Sequence, residues 1–121
     1  MRLNRNGNLL RIFIGESDKV GRKPLYEVIV QTAKQQGLAG ATVLRGVEGF
    51  GADSRMIHTA KILRLSEDLP VVVEIVDEEK KLKNFLEVID RLFEEAQCGG
   101  LITLEKAEII RYSAGDKSGN S

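Results

Sequence analysis

The feature that most constrains the fold is a stripe of apolar side chains between positions 82 and 96, recurring every three or four residues. This spacing places them on one face of an α-helix, and Asp77 is a residue type favoured at a helix N-cap. Burying six large side chains yields about 9–18 kcal/mol, whereas ordering some eighteen residues costs ~1–2 kcal/mol each. The helix must therefore lie on a sheet. The stripe comprises Leu82, Phe85, Leu86, Ile89, Leu92, Phe93 and Ala96.

Segments that could form this sheet alternate apolar and polar residues or are rich in β-branched side chains. In residues 9–14, Leu10, Ile12 and Ile14 would share one face. The most apolar run of the chain, residues 71–76, is typical of a central strand. Further extended segments are predicted at 41–47, 57–65, 101–104 and 107–112.

A first helix is predicted over about 23–36. Apolar residues recur there with helical spacing, Pro24 would fall in the first turn, and Gly37 would stop the helix. The order strand, helix, strand, strand, helix, strand then predicts an α+β, ferredoxin-like βαββαβ domain. Its antiparallel sheet would carry both helices on one face. We expect an N-terminal arm at 1–8, the domain at 9–112 and a flexible tail at 113–121.

The second face of the predicted sheet is apolar as well. In the 71–76 strand, Val72 and Val76 point away from the face shared by Val71, Val73 and Ile75, and only Glu74 is polar. An apolar open face in a domain of 121 residues favours burial against another subunit, so the sequence predicts a homo-oligomer.

Charge and composition exclude several classes of protein. Eighteen basic and eighteen acidic residues cancel, and four Phe and two Tyr offer few stacking surfaces, so no nucleic-acid partner is expected. The N-terminal apolar segment is too short for a signal peptide or a membrane span, which predicts a cytoplasmic protein that is not membrane-embedded. The single cysteine, Cys98, excludes an internal disulfide.

Candidate chemistry is sparse. The glycines at 46, 49 and 51 do not match a phosphate-loop or dinucleotide motif, and indicate either a bulged strand end or close backbone approach to a ligand. His58 and Cys98 lack the neighbours that a metal site or a nucleophile needs, so neither a metal nor an enzyme is expected. Arg45 and Arg111, with Arg55, Lys61 and Arg64, would either gather around an anion or lie scattered on the surface.

Several motifs in fixed order closely resemble the family known as domain of unknown function 190, over residues 7–113. They are Gly15-Glu16-Ser17-Asp18, Lys23-Pro24-Leu25-Tyr26-Glu27, Gly40-Ala41-Thr42-Val43-Leu44-Arg45-Gly46, Gly49-Phe50-Gly51, Ser66-Glu67-Asp68-Leu69-Pro70 and Gly100-Leu101-Ile102-Thr103-Leu104-Glu105. That family is similar in turn to the PII signalling proteins, which are ferredoxin-like trimers. The remoter match runs through Gly37-Leu38, the Gly-Phe-Gly motif and the second helix to Arg111.

The PII resemblance implies an effector, such as an adenine nucleotide, in the cleft between subunits and a loop at 52–58 that contacts a partner protein. It implies ligand contacts from Gly51 and Arg111. Two positions depart from the PII pattern: Ser113 replaces the second arginine of a C-terminal pair, and Gly100 stands where a phosphate-binding lysine is expected. Each lost charge-assisted contact is worth ~1.5–3 kcal/mol, which favours a less charged nucleotide or another small anion.

The expected function is therefore a non-enzymatic, PII-like trimeric sensor of a small effector, with a partner such as a transporter or an enzyme. The predicted ligand-binding residues are Arg45, Gly49, Phe50, Gly51, Gly99, Gly100 and Arg111. The alternatives are a metal-responsive protein similar to the CutA family, which shares the trimeric fold, and an enzyme of unknown reaction.

Overall fold

The computed structural model describes residues 5–51 and 68–115. Within them the chain forms six strands and two helices in a fixed order. They are β1 (Asn6–Gly15), β2 (Lys19–Val20), β3 (Lys23–Pro24), α1 (Leu25–Gln35), β4 (Thr42–Arg45), β5 (Pro70–Asp77), α2 (Glu79–Ala96) and β6 (Leu101–Glu108).

Four of these strands form one antiparallel sheet in the order β4-β5-β1-β6. The two central strands are the apolar ones, β1 and β5, whose pairing runs from Asn8 opposite Asp77 to Gly15 opposite Pro70. Both helices pack on the same face, α1 against β5 and α2 against β1. The predicted α+β, ferredoxin-like architecture is confirmed.

The core lies between this sheet and the helices. Alternate residues of the central strands face it, so that Leu10, Ile12, Val73 and Ile75 are almost completely buried. The predicted stripe of α2 supplies the opposite wall, with Leu82, Phe85, Ile89 and Leu92 buried and Leu86, Phe93 and Ala96 packed against the core at its margin.

The ends of several elements differ from the sequence-based expectation. The first helix begins at Leu25 rather than Lys23, because Lys23 and Pro24 pair with Lys19 and Val20 in a small ribbon. It ends as predicted, since Gly37 takes the left-handed conformation (φ +78°) just beyond it. The last strand is continuous from Leu101 to Glu108, and residues 109–112, predicted as extended, lie beyond it.

Two further predictions concern the segment at 57–65 and the N-terminal arm at 1–8. The extended segment predicted at 57–65 lies outside the described residues. Strand β1 begins at Asn6, within the stretch that the sequence indicates as an N-terminal arm.

Asp77 is the one charged residue buried in the described part of the domain. The sequence predicted Asp77 as the N-cap of α2. That prediction is wrong, because the helix begins two residues later and Glu78 occupies the cap position. The Asp77 carboxylate instead accepts hydrogen bonds from the Glu78 backbone N–H (2.7 Å) and from the Ala39 backbone N–H (2.9 Å). Asp77 therefore joins the start of α2 to the loop that connects α1 with β4.

Candidate functional site

The predicted ligand-binding residues lie at three separate places in one chain. Arg45 ends β4, and Gly49, Phe50 and Gly51 follow it. Gly99 and Gly100 precede β6 at the same end of the sheet but at its opposite edge, because β4 and β6 are the two outer strands. Arg111 follows β6, at the other end of the sheet.

The separations follow from sheet geometry. Three strand spacings of about 4.8 Å separate the two edges by roughly 14 Å, and a strand of β5's length spans roughly 24 Å. A single chain therefore does not bring these residues around one small molecule. Any site that uses all three places must combine residues from different copies of the chain.

The end of the sheet at which β4 finishes is held by contacts with Leu69 and Pro70, at the start of β5. The Gly46 backbone N–H donates to the Pro70 carbonyl (2.7 Å), and the Glu16 N–H donates to the Leu69 carbonyl (2.8 Å). The Arg45 guanidinium pairs with the Glu16 carboxylate. Beyond these contacts Gly49 stays close to Pro70, whereas Phe50 is 70% exposed.

Gly100 has a packing reason to be glycine. A Cβ at this position would lie 2.7 Å from the carbonyl oxygen of Phe13 and 2.7 Å from the ring of Phe93, both inside van der Waals contact. The close approach lets β6 begin beside β1 directly after α2. The absence of the lysine expected from the PII resemblance thus follows a steric requirement for glycine.

Replacing Gly100 with alanine is expected to destabilise the fold by about 1–3 kcal/mol, because the backbone carbonyl of Phe13 cannot move without breaking the sheet. Urea unfolding checks this value. Gly40→Ala is the matched control, since nothing lies within 4 Å of its Cβ position. Equal stability of the two variants would contradict the steric account.

At the opposite end, Arg111 lies at a groove on the open face of the sheet. The groove has a volume of about 560 Å³ and runs between the loop that enters β4 and the chain that leaves β6. Its floor comes from Leu9, Glu74 and Val76. The remaining lining residues are Ala39, Gly40, Ala41, Thr42, Ala107, Glu108, Ile109, Ile110, Arg111 and Tyr112.

The wall formed by residues 109–112 is held in place by two hydrogen bonds. The Ile109 backbone N–H donates to the Arg5 carbonyl (2.7 Å), and the Tyr112 hydroxyl donates to the Ala39 carbonyl (2.8 Å). The Tyr112 hydrogen bond thereby links the chain after β6 to the loop that enters β4. The Arg111 side chain is exposed, and its Nε lies 3.4 Å from the Ser113 hydroxyl.

The open face above this groove is arranged in three cross-strand rows, which the strand register defines. One row is entirely apolar and crosses all four strands. The next is polar and includes Arg11 and Glu74, and the third returns to apolar residues beside Glu105. In order the rows are Leu44-Val72-Phe13-Leu101, Thr42-Glu74-Arg11-Thr103 and Val76-Leu9-Glu105.

An ion network occupies the centre of this face. The Arg11 guanidinium donates from Nε to Glu74 (3.1 Å) and from Nη1 to Glu105 (2.5 Å). Hydrogen bonding to Glu74 raises the pKa of Arg11, with Glu105 adding to the effect, so the charge persists throughout the pH range of a folded protein. Sequence reasoning noted Glu74 as the one polar residue of its strand but missed the network, because Arg11 lies 63 positions from Glu74 and 94 positions from Glu105.

Metal ligation finds no support in the described residues. Within residues 5–51 and 68–115, no three His, Cys, Asp or Glu side chains are grouped so as to hold a metal ion. His58 lies outside these ranges, as does the predicted partner loop at 52–58. Neither of the described helices has the length and apolarity needed to cross a membrane.

The sheet order and the two helices on one face match the ferredoxin-like fold of PII-like proteins. A structure of CPII from Thiomonas intermedia, bound to ADP and bicarbonate, aligns with a TM-score of 0.63 at 17% identity, over 88% of this chain and 90% of CPII. At this level of identity the likeness shows a shared fold.

The family follows from sequence. The chain belongs to the domain of unknown function 190 family, described as "Uncharacterized ACR", whose family model matches residues 7–109. A UPF0166 protein of Aquifex aeolicus is 46% identical over 102 residues, which cover 84% of this chain and 91% of the relative. A UPF0166 protein of Methanocaldococcus jannaschii is 34% identical, over 85% of this chain and 91% of the relative.

Proposed function

We propose that this protein is a non-enzymatic, PII-like regulatory protein that acts as a homotrimer in the cytoplasm. It binds a small anionic effector between subunits and contacts a partner protein through the loop at 52–58. The observation that carries this proposal is the separation of Arg111 from the glycine-containing segments. These residues meet at one ligand only if neighbouring copies bring opposite ends of their sheets together.

The open face of the sheet supports assembly of this kind. Its apolar row leaves Leu44 49% exposed and Leu101 56% exposed in the single chain, and the ion network lies directly beside that row. Packing one such face against others removes the apolar row from water, at about 25 cal/mol per Å² buried. The charged side chains of the network already pair with one another within each chain, which lowers the desolvation cost of covering them.

The effector chemistry follows from the groove and from Arg111. A volume of about 560 Å³ lies within the range of small-molecule sites. Its walls are mainly apolar, which suits a planar heterocycle, while the Arg111 guanidinium is a donor suited to phosphate or carboxylate oxygens. An adenine nucleotide meets both requirements, and CPII, which has the same fold, binds ADP.

Isothermal titration calorimetry against ATP, ADP, AMP and bicarbonate tests this function. We expect saturable binding of at least one adenine nucleotide with up to three sites per trimer. A well-folded oligomer that binds none of these four compounds would contradict the effector proposal. Incubation of each bound compound with the protein, followed by chromatography, should return it unchanged because no turnover is expected.

Replacing Arg111 with alanine is expected to weaken binding of the anionic effector at least tenfold, about 1.4 kcal/mol or more, because a charge-assisted hydrogen bond is lost. Arg91→Ala is the matched control, since Arg91 is an exposed arginine on the outer surface of α2. Calorimetry on both variants gives the comparison. Unchanged affinity in Arg111→Ala would remove this residue from the site.

A further inference from the structure

The β2–β3 ribbon carries a concentration of positive charge at one tight turn. Val20 pairs with Lys23, so Gly21 and Arg22 form a two-residue turn, and Gly21 takes the positive φ (+62°) that such turns favour. Three of the five residues from 19 to 23 are basic. All three, Lys19, Arg22 and Lys23, are exposed.

This ribbon is fixed to the body of the domain rather than carried on a free loop. The Val20 side chain packs against the core, and β2 lies against both helices. At its base, the Leu25 N–H donates to the Asp18 carbonyl (2.7 Å), and the Gly15 N–H donates to the Asp18 carboxylate (2.8 Å). The backbone that carries the three cations therefore has a defined position on the domain.

The charges of the ribbon are not used within the described part of the chain. None of its three cations has an ion pair or hydrogen bond with any residue in 5–51 or 68–115. The nearby Glu16 carboxylate is already paired with Arg45. Arg45, the cation predicted for this end of the sheet, is thereby partly neutralised, whereas the ribbon's charges remain available.

The ribbon also lies at the same end of the sheet as both glycine-containing segments. It begins four residues after β1 ends at Gly15, and Gly15 pairs with Pro70 beside Gly46. The C-terminal end of α2 lies at this same end, because Phe13 of β1 pairs with Leu101 shortly after the helix. The ribbon thus packs on the helices at the end of the sheet from which both glycine-containing segments extend.

We propose that Lys19, Arg22 and Lys23 form a phosphate-binding arm that recognises the polyphosphate portion of the effector. This inference rests on the proposed function, because it assigns the phosphate contacts of the same intersubunit ligand. The arm supplies cations at an end of the sheet where Gly100 cannot be replaced by a lysine without a steric clash. It selects ligands by the number of their phosphates, while Arg111 and the groove of a neighbouring copy hold the rest of the ligand.

The competing explanation is structural. The last turn of α2 has no basic residue and contains Glu94 and Glu95, so cations near this helix end would offset its negative dipole. This explanation predicts a loss of stability when the ribbon is neutralised, without a dependence of binding on phosphate number. The two accounts therefore differ in what calorimetry measures.

The test compares a Lys19→Ala/Arg22→Ala/Lys23→Ala variant with the wild-type protein for binding of ADP, AMP and adenosine. A Lys34→Ala/Lys80→Ala/Lys81→Ala variant is the matched control, because it removes the same charge from exposed positions at the opposite end of the helices. We expect the ribbon variant to lose at least about 30-fold in affinity for ADP, less for AMP and none for adenosine. The control variant should retain wild-type affinities.

Three results would overturn the inference. Unchanged ADP affinity in the ribbon variant, with or without a lower melting temperature, would assign the cations to stability or to solubility. An equal loss for ADP, AMP and adenosine would indicate a general structural effect. If the wild-type protein binds none of the three compounds, both the proposed function and this inference fall, whereas the first two results leave the proposed function intact.

Discussion

Replacing Val72 with aspartate is expected to convert the proposed homotrimer to monomers that remain folded. Val72 lies in the middle of the apolar row on the open face, beside Leu44 and Phe13. In the single chain its side chain is half-buried, so a carboxylate there still reaches water. Covered by neighbouring subunits, that carboxylate would have no counter-charge in the row, at a cost of at least about 3 kcal/mol per subunit.

Sedimentation velocity and circular dichroism check this prediction together. Gln31→Asp provides the control, because it adds the same charge at an exposed position on α1, on the other side of the sheet. We expect the control to sediment as the wild-type protein does. A Val72→Asp protein that keeps the wild-type sedimentation coefficient would show that the open face is not the contact between copies.

Replacing Asp77 with alanine is expected to lower the free energy of unfolding by about 2–4 kcal/mol. The substitution leaves two backbone N–H groups, those of Ala39 and Glu78, without the carboxylate that now accepts their hydrogen bonds. It also leaves space in a fully buried position. For a domain of this size the melting temperature should fall by roughly 10 °C or more, measured at one protein concentration.

Two further variants sharpen the Asp77 prediction. Asp77→Asn keeps the volume but offers one acceptor oxygen for two donors, so we expect it to recover at most about half of the lost stability. Asp90→Ala removes an exposed carboxylate from α2 and should change stability by less than about 0.5 kcal/mol. A loss in Asp77→Ala no larger than that in Asp90→Ala would contradict the role assigned to this carboxylate.

Much of the fold was predictable because its signals are local. The apolar stripe of α2 and the alternation in β1 depend on residues close in sequence, and Gly37 marks the end of α1 by its backbone freedom alone. The β2–β3 ribbon was missed because its strands are two residues long, too short for any periodicity, and its charged residues resemble an ordinary turn. Asp77 resembled a helix cap because its second partner, Ala39, is 38 residues away.

The candidate site was less accessible from sequence, for a related reason. Arg11, Glu74 and Glu105 come from three strands, and only the register between those strands brings them into one network. The groove also depends on segments distant in sequence, since it forms where the chain after β6 meets the loop before β4. The ligand-binding roles of residues 45, 49–51, 99–100 and 111 remain predictions, which the Arg111→Ala variant begins to test.

The fold links the open face of the sheet to the proposed effector site. The helices cover a single side of the sheet, which leaves an apolar row and an ion network on the other side. Arg111 and the glycine-containing segments lie at opposite ends of that exposed side. Assembly through the open face would therefore bury the row and create the clefts in which these ends meet.

Sedimentation equilibrium of the wild-type protein at micromolar concentration measures whether copies of the chain associate. We expect a single species with three times the 13.4 kDa mass of the chain. A folded species of 13.4 kDa under the same conditions would contradict assembly through the open face. The apolar row would then stay in contact with water, and no cleft between copies would exist to hold an effector.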